Sequence, residues 1–223
     1  AKTVVQYASI TKLSGIVKDT NGVPLPNATV QLVGTNVSVG TDTTGMFTFN
    51  SPVSGDQTLT IDGTTIPATA TGPGRTFSKT AVSISIGLGQ NNVLPRPIFL
   101  APLVRDGSET IVLANQATTV TSPAAPGVEI TVPAGKAVFP DGSNVGSINI
   151  ATISADNSTI PVPDVAVPTT VIALEPSGLE FKERIDLVLP NDNEIPAGTD
   201  LMILSMNSNT GRWEIDGNAT VSA

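Results

Sequence analysis

The stretch from Gly15 to Leu32, GIVKDTNGVPLPNATVQL, reads as strand, turn and strand. Ile16 and Val17 form a short apolar run. Asp19-Thr20-Asn21-Gly22 carries an Asn-Gly turn signal, and both of its last two residues tolerate positive φ. Val23-Pro24-Leu25-Pro26 excludes helix, because proline fixes its own φ and restricts the residue before it. Ala28, Val30 and Leu32 then alternate with Thr29, Gln31 and Val33, so one face is apolar at a period of two.

That period recurs along the chain. Phe47 and Phe49 show it, as do Leu59 and Ile61, and Val82, Ile84 and Ile86 set against Ala81, Ser83 and Ser85. Val128, Ile130 and Val132 follow, then Ile148 and Ile150, then Ile185, Leu187 and Leu189. Turn chemistry separates these runs at Ser54-Gly55-Asp56, Asp62-Gly63, Asp141-Gly142, Pro176-Ser177-Gly178 and Ala197-Gly198. No useful length shows the i, i+3, i+4, i+7 spacing of a helix. Short strands at this spacing predict an all-β fold of antiparallel β-sandwiches. Pro95, Pro97 and Pro102 make Leu94–Pro102 a stiff connector, within which Ile98, Phe99 and Leu100 have the character of an edge strand. The expected organisation is two consecutive sandwiches, residues 1–101 and 102–223, with limited freedom between them. Val4, Val5, Tyr7 and Ile10 suggest an extra strand at the start.

Composition narrows the chemistry. The 223 residues contain neither Cys nor His, which removes disulfides, thiolate metal sites, the usual general base and the simple pH switch. No run approaches the roughly 20 apolar residues of a membrane helix. Low Lys content and a Thr-rich surface suggest an exported, extracellular or cell-surface protein. The net charge of −8 is divided as +2 over residues 1–101 and −10 over residues 102–223. The acidic half argues against nucleic acid; the split would favour contact between unlike halves, within one molecule or between neighbours, but two independent domains with different surfaces are the plainer expectation.

No group of residues makes a convincing catalytic set. A Ser nucleophile needs a base, and Ser78-Lys79 and Gly135-Lys136 lack a supporting arrangement. Glu180, Glu183 and Asp186 alternate faces on a strand, unlike a facing glycosidase pair. Asn191-Asp192-Asn193-Glu194 with Asp200 offers oxygens for calcium but not the spacing of a known calcium loop, and such clusters commonly make turns. Trp213 and Tyr7, the sole Trp and Tyr, are the candidates for stacking on a sugar. An intramolecular amide at Lys12 or Lys18 needs a buried acid nearby, and residues 1–101 hold no Glu and four Asp. The sequons at Asn27, Asn36, Asn157 and Asn218 carry no information at this Ser and Thr content. The expectation is a chain with no catalytic, cofactor-binding or metal residues and no cofactor, calcium being the one candidate ion.

SGIVKDTNGVPLPNATVQLVGT (Ser14–Thr35) and TDTTGMFTF (Thr41–Phe49) resemble the carboxypeptidase regulatory-like domain, a sandwich of transthyretin type. GVEITVPAGKAVFPDGS (Gly127–Ser143), IALEPSGLEFKERIDLVLPN (Ile172–Asn191) and TGRWEIDG (Thr210–Gly217) resemble the ZU-type sandwich found in large bacterial surface proteins, YD-repeat proteins among them. These resemblances imply spacing, plugging or adhesion, with chemistry housed elsewhere. Some ZU-type relatives cleave themselves at a Ser assisted by His; Ser177 and Ser205 have no His here, so that activity does not carry over. The functional expectation is a non-catalytic structural, adhesive or docking module whose partner is a protein or a like subunit. A self-assembling fibre subunit joined by strand addition and a carbohydrate-binding module are the alternatives.

Overall fold

The computed structural model describes residues 10–71, 75–104, 109–154, 168–207 and 210–222. Tyr7, the strand expected before Ile10, and Asn157 lie outside these residues. The fold is all-β. Helix among the described residues is confined to one turn at Ala68–Thr71 and a 3-10 turn at Gly63–Thr65.

Nine described strands lie in the first half, β1 (Lys12–Asp19), β2 (Thr29–Leu32), β3 (Ser38–Gly40), β4 (Met46–Asn50), β5 (Gly55–Asp62), β6 (Arg75–Phe77), β7 (Lys79–Ile86), β8 (Asn91–Val93) and β9 (Ile98–Leu100), and β10 (Pro102–Val104) opens the second. One sheet has the order β4-β1-β8, with β9 beside the far end of β1; the other runs β3-β2-β5-β7. Leu13, Val17, Val30, Leu32, Leu59 and Ile61 fill the space between them. Phe47 and Phe49 join that core edge to face, with ring centroids 6.1 Å apart. The alternation read from the sequence is therefore the inward face of each strand.

Three details differ from the sequence reading. β1 and β2 do not pair with each other but belong to opposite sheets, and the isolated bridge from Lys18 of β1 goes to Pro24 in the segment that connects them. In the turn between them only Gly22 takes positive φ, at +82°, while Asn27 further on adopts +64°. The Gly22 N–H donates to the Asp19 carbonyl at 2.9 Å, which centres the turn on Thr20-Asn21 and leaves the left-handed position to glycine. Finally, β8 and β9 run parallel to β1. Both follow β7 in the other sheet, so a sheet-to-sheet crossing, not a hairpin, sets their direction.

The second half contains β11 (Thr110–Val112), β12 (Thr118–Val120), β13 (Glu129–Val132), β14 (Ala137–Val138), β15 (Gly146–Ile153), β16 (Val171–Glu175), β17 (Glu180–Phe181), β18 (Asp186–Val188), β19 (Asp200–Asn207) and β20 (Arg212–Thr220). Sheets β11-β15-β16 and β12-β13-β18 share a core of Val112, Val120, Val128, Ile130, Val132, Ile148 and Ile150. Ile185, Leu187 and Leu189 pack against it. The hairpin β19–β20 pairs only with itself among the described residues and carries a bulge between Ile203 and Leu204.

Candidate functional site

The site that stands out is where the two halves meet, and it begins with a bend in one strand. β6 and β7 are separated by Ser78 alone, and this buried residue is bonded on three sides. Its N–H donates to the Ala101 carbonyl at 2.9 Å, its Oγ accepts the Ala101 N–H at 2.9 Å, and its carbonyl accepts the Gly63 N–H at 3.1 Å. From Ala101 the chain runs into β10, which pairs antiparallel with β6. The connector is thus tied by main-chain bonds on both sides of Ala101: β9 lies along β1 and β10 along β6. Extended prolines and ladder bonds together give the chain little freedom here.

The second half meets this bend through β15 and β16. Period two sends Ile148 and Ile150 of β15, and Ile172 and Leu174 of β16, to the second core. The opposite face carries Ala151, Ile153 and Ala173, which pack with Ala101, Leu103 and Ala124 in a third, smaller cluster. Ala151 and Ala173 are directly paired across the ladder, so small side chains let the first half approach closely. β15 thus buries Ile150 on one face and Ala151 on the other, and β16 is half-buried on both faces up to the buried Glu175, in keeping with a run, VIALE, that shows no polar side before its last residue. Glu175 belongs to the joint face, two residues beyond Ala173, and is only 5% exposed. Its Oε1 accepts the Lys79 N–H from the first half at 2.6 Å, and its Oε2 accepts the Ser177 N–H at 2.7 Å.

A second contact joins the halves. Gly211, at the turn of the β19–β20 hairpin, lies so close to β7 that a Cβ on it would come within 2.6 Å of the Ser83 amide nitrogen. Thr80 Oγ1 is 3.8 Å from Met206 Sδ in the same region. β7 is the last strand of its sheet, and the hairpin turn covers part of that open side. Ala81, read from the sequence as part of an outer face, is buried.

The residues weighed for chemistry lie elsewhere or serve the frame. Ser78 is bound into the bend, and Lys79 Nζ pairs with Asp62 at 3.4 Å. Lys136 Nζ pairs with Glu183 at 3.0 Å on the surface, apart from any Ser partner on which it could act as base. Ser205 and Asp186 are exposed on β19 and β18, and Glu180 is exposed on β17. Lys12 is exposed and Lys18 half-buried at the two ends of β1. Asn191 closes its own loop, its Oδ1 accepting the Ile195 N–H and its Nδ2 donating to the Ile195 carbonyl, each at 2.9 Å. Asn193 Nδ2 donates to the Thr169 carbonyl and Asp200 Oδ1 accepts from Thr220, so of the candidate calcium oxygens Asn191 Oδ1 serves the loop and Asp200 Oδ1 the hairpin. Among the described residues no three acidic side chains converge on a cation position.

Trp213 sits on β20 opposite Met206, half-buried, with its indole N–H shielded from solvent and without a hydrogen-bond acceptor among the described residues. A sugar-stacking ring offers an open face and a wet N–H; this one has its N–H sealed. An open depression of about 320 Å³ is bordered by Pro126, Thr152, Ile153, Thr170, Pro190 and Asp192, with Asp192 its one charged residue. Of the residues that define the joint, the sequence reading weighs Ser78 only as a nucleophile and passes over Glu175 and Gly211. Glu175 had a legible signal, an acid closing an apolar run on a strand with no polar face.

Residues 12–91 match the family model of the carboxypeptidase regulatory-like domain. Among solved structures, a DUF3823 family protein from Bacteroides uniformis ATCC 8492 is similar, at 14% sequence identity over 95% of this chain and 98% of that one. Its TM-score of 0.24 is too low for the superposition to carry an argument. No curated protein matches the chain. No described helix is long and apolar enough to cross a membrane.

Proposed function

We propose that this chain is a non-catalytic, exported module that works as a rigid spacer or docking piece of a cell-surface protein or assembly. In this reading residues 1–101 form the regulatory-like sandwich and residues 102–223 a second, ZU-like one. The observation that carries it is the joint. A flexible linker would leave two sandwiches with separate surfaces, whereas here the connector is laddered on both sides and β15–β16 bury a second face against it. Such a joint transmits direction as well as distance, which is what a spacer needs. Partners are other proteins or like subunits, engaged through loops and edges away from the joint.

Small-angle scattering combined with light scattering tests this. A monomeric mass and a scattering curve described by one fixed particle, unchanged by calcium, is the expected result. A curve that requires many relative orientations of the two halves removes the spacer reading. A second reading, a subunit that assembles by strand addition, draws on the β19–β20 hairpin. Its strands pair only with each other among the described residues, and it exposes Met202 and Ile215. Concentration-dependent polymers in the same light-scattering run, lost on deletion of residues 1–10, favour that alternative.

A further inference from the structure

We propose that Glu175 is the latch of the joint: its carboxylate fixes the relative orientation of the two sandwiches by holding the Lys79 amide of one against the Ser177 turn of the other. The inference rests on the rigid-spacer reading and names the residue responsible for it.

A carboxylate leaves water at a large cost unless strong donors replace the lost hydration. Glu175 is almost fully buried, and its two oxygens accept main-chain N–H groups at 2.6 and 2.7 Å, the short range of charge-assisted bonds. One donor, Ser177, is local to the second half. The other, Lys79, lies 96 positions away in the first half, immediately after the bend at Ser78. Neither half alone supplies both. If the halves part, the Lys79 N–H loses its acceptor and Glu175 loses a donor.

The surroundings make this bond decisive. The apolar part of the joint is built from Ala101, Leu103, Ala124, Ala151, Ile153 and Ala173, mostly small side chains that fit closely but are weakly directional. A hydrogen bond to a buried charge is directional and tolerates little rotation. Packing therefore brings the halves together, and Glu175 selects one angle among those that packing allows. The Lys79 side chain points its charge elsewhere, to Asp62 at 3.4 Å, so the Glu175 bond to this residue is through its main chain.

The chain has no cysteine, so spin labels can be placed at Asp56→Cys and Glu129→Cys, both exposed, one in each half. Pulsed electron resonance then gives the distance distribution between the sandwiches. The labelled parent is expected to show one narrow distribution, and Glu175→Ala a distribution about twofold broader, with Glu175→Gln between them. A narrow parent distribution that stays equally narrow in Glu175→Ala overturns the latch and leaves the spacer reading standing. A broad distribution in the parent overturns both. Should Glu175→Ala fail to fold, amide exchange on the unsubstituted protein decides. The Lys79 and Ser177 amides are expected to exchange together, and Glu175→Gln to accelerate both about tenfold to a hundredfold, the equivalent of one charge-assisted hydrogen bond. Unrelated exchange rates at the two amides, or rates unmoved in Glu175→Gln, overturn the latch.

Discussion

At the scale of single residues, polar side chains placed inside the shell do more to define this structure than any exposed acid or base. Thr41 is 5% exposed, and its Oγ1 donates to the Leu25 carbonyl at 2.6 Å while accepting the Ala28 N–H at 2.9 Å. It replaces strand pairing where the chain bends after the Pro24–Pro26 segment. Thr41→Val keeps the shape but strands both main-chain groups, and a loss of about 2–4 kcal/mol in denaturant unfolding is expected. Asp42 beside it acts through charge. Thr44 Oγ1 donates to its carboxylate at 2.7 Å, and the Met46 and Thr44 N–H groups donate at 3.0 and 2.8 Å. These bonds hold the Asp42 carboxyl below its usual 3.8, the Thr44 hydroxyl contributing most. A depressed folded value means the turn's contribution is full above the unfolded pKa and is lost as pH falls through the folded one. The stability gap between the parent and Asp42→Ala is therefore constant above about pH 5 and closes towards about pH 2, as thermal melts across that range can check.

Elements show how far the sequence was legible. Strands with one wet face were read directly: Val30 and Leu32, Phe47 and Phe49, and Val128, Ile130 and Val132 all point inward as their alternation indicates. Strands whose outer face is covered in part were not, as β7 shows with Ala81 buried, Ser83 half-buried and Ser85 exposed. β7 was assigned a polar side at Ala81, Ser83 and Ser85, because small residues on an outer face and small residues under a close neighbour look alike in a single sequence. Periodicity reports how many faces are apolar, not what covers them. Residue types narrow the candidates: His and Cys are absent from the sequence, and of the Ser78–Lys79 pair the structure places Ser78 in the bend and Lys79 beside Asp62. The hairpin turn supplies a prediction at this scale. Gly211 has φ of +63° and its missing Cβ leaves room for the Val82–Ser83 main chain. Gly211→Ala is expected to lift the turn from β7 and to raise amide exchange at Val82 and Ser83 about tenfold or more, while the second core keeps its protection.

For the whole molecule, the arrangement of three clusters matters more than the two cores taken singly. The middle cluster couples them, and Leu103, 2% exposed, is its largest fully buried member. Leu103→Ala removes the side chain that spans both halves, at an expected cost of about 2–5 kcal/mol. The parent is expected to melt in one calorimetric transition and Leu103→Ala in two, as coupling falls below the stability of the separate halves. A single transition in the variant would mean that the bonds at Ser78 and Glu175 suffice. The charge division of +2 and −10 acts at the same scale. Like charges gathered in residues 102–223 repel one another, while the less charged first half lies beside them and lessens that penalty.

The hairpin turn resting on β7 also has a kinetic consequence for crowded surfaces. A neighbouring molecule that seeks to pair along the whole of that strand finds the stretch at Val82–Ser83 already covered from within. Swapping between copies thus begins with a unimolecular release, and its rate stays flat as concentration rises.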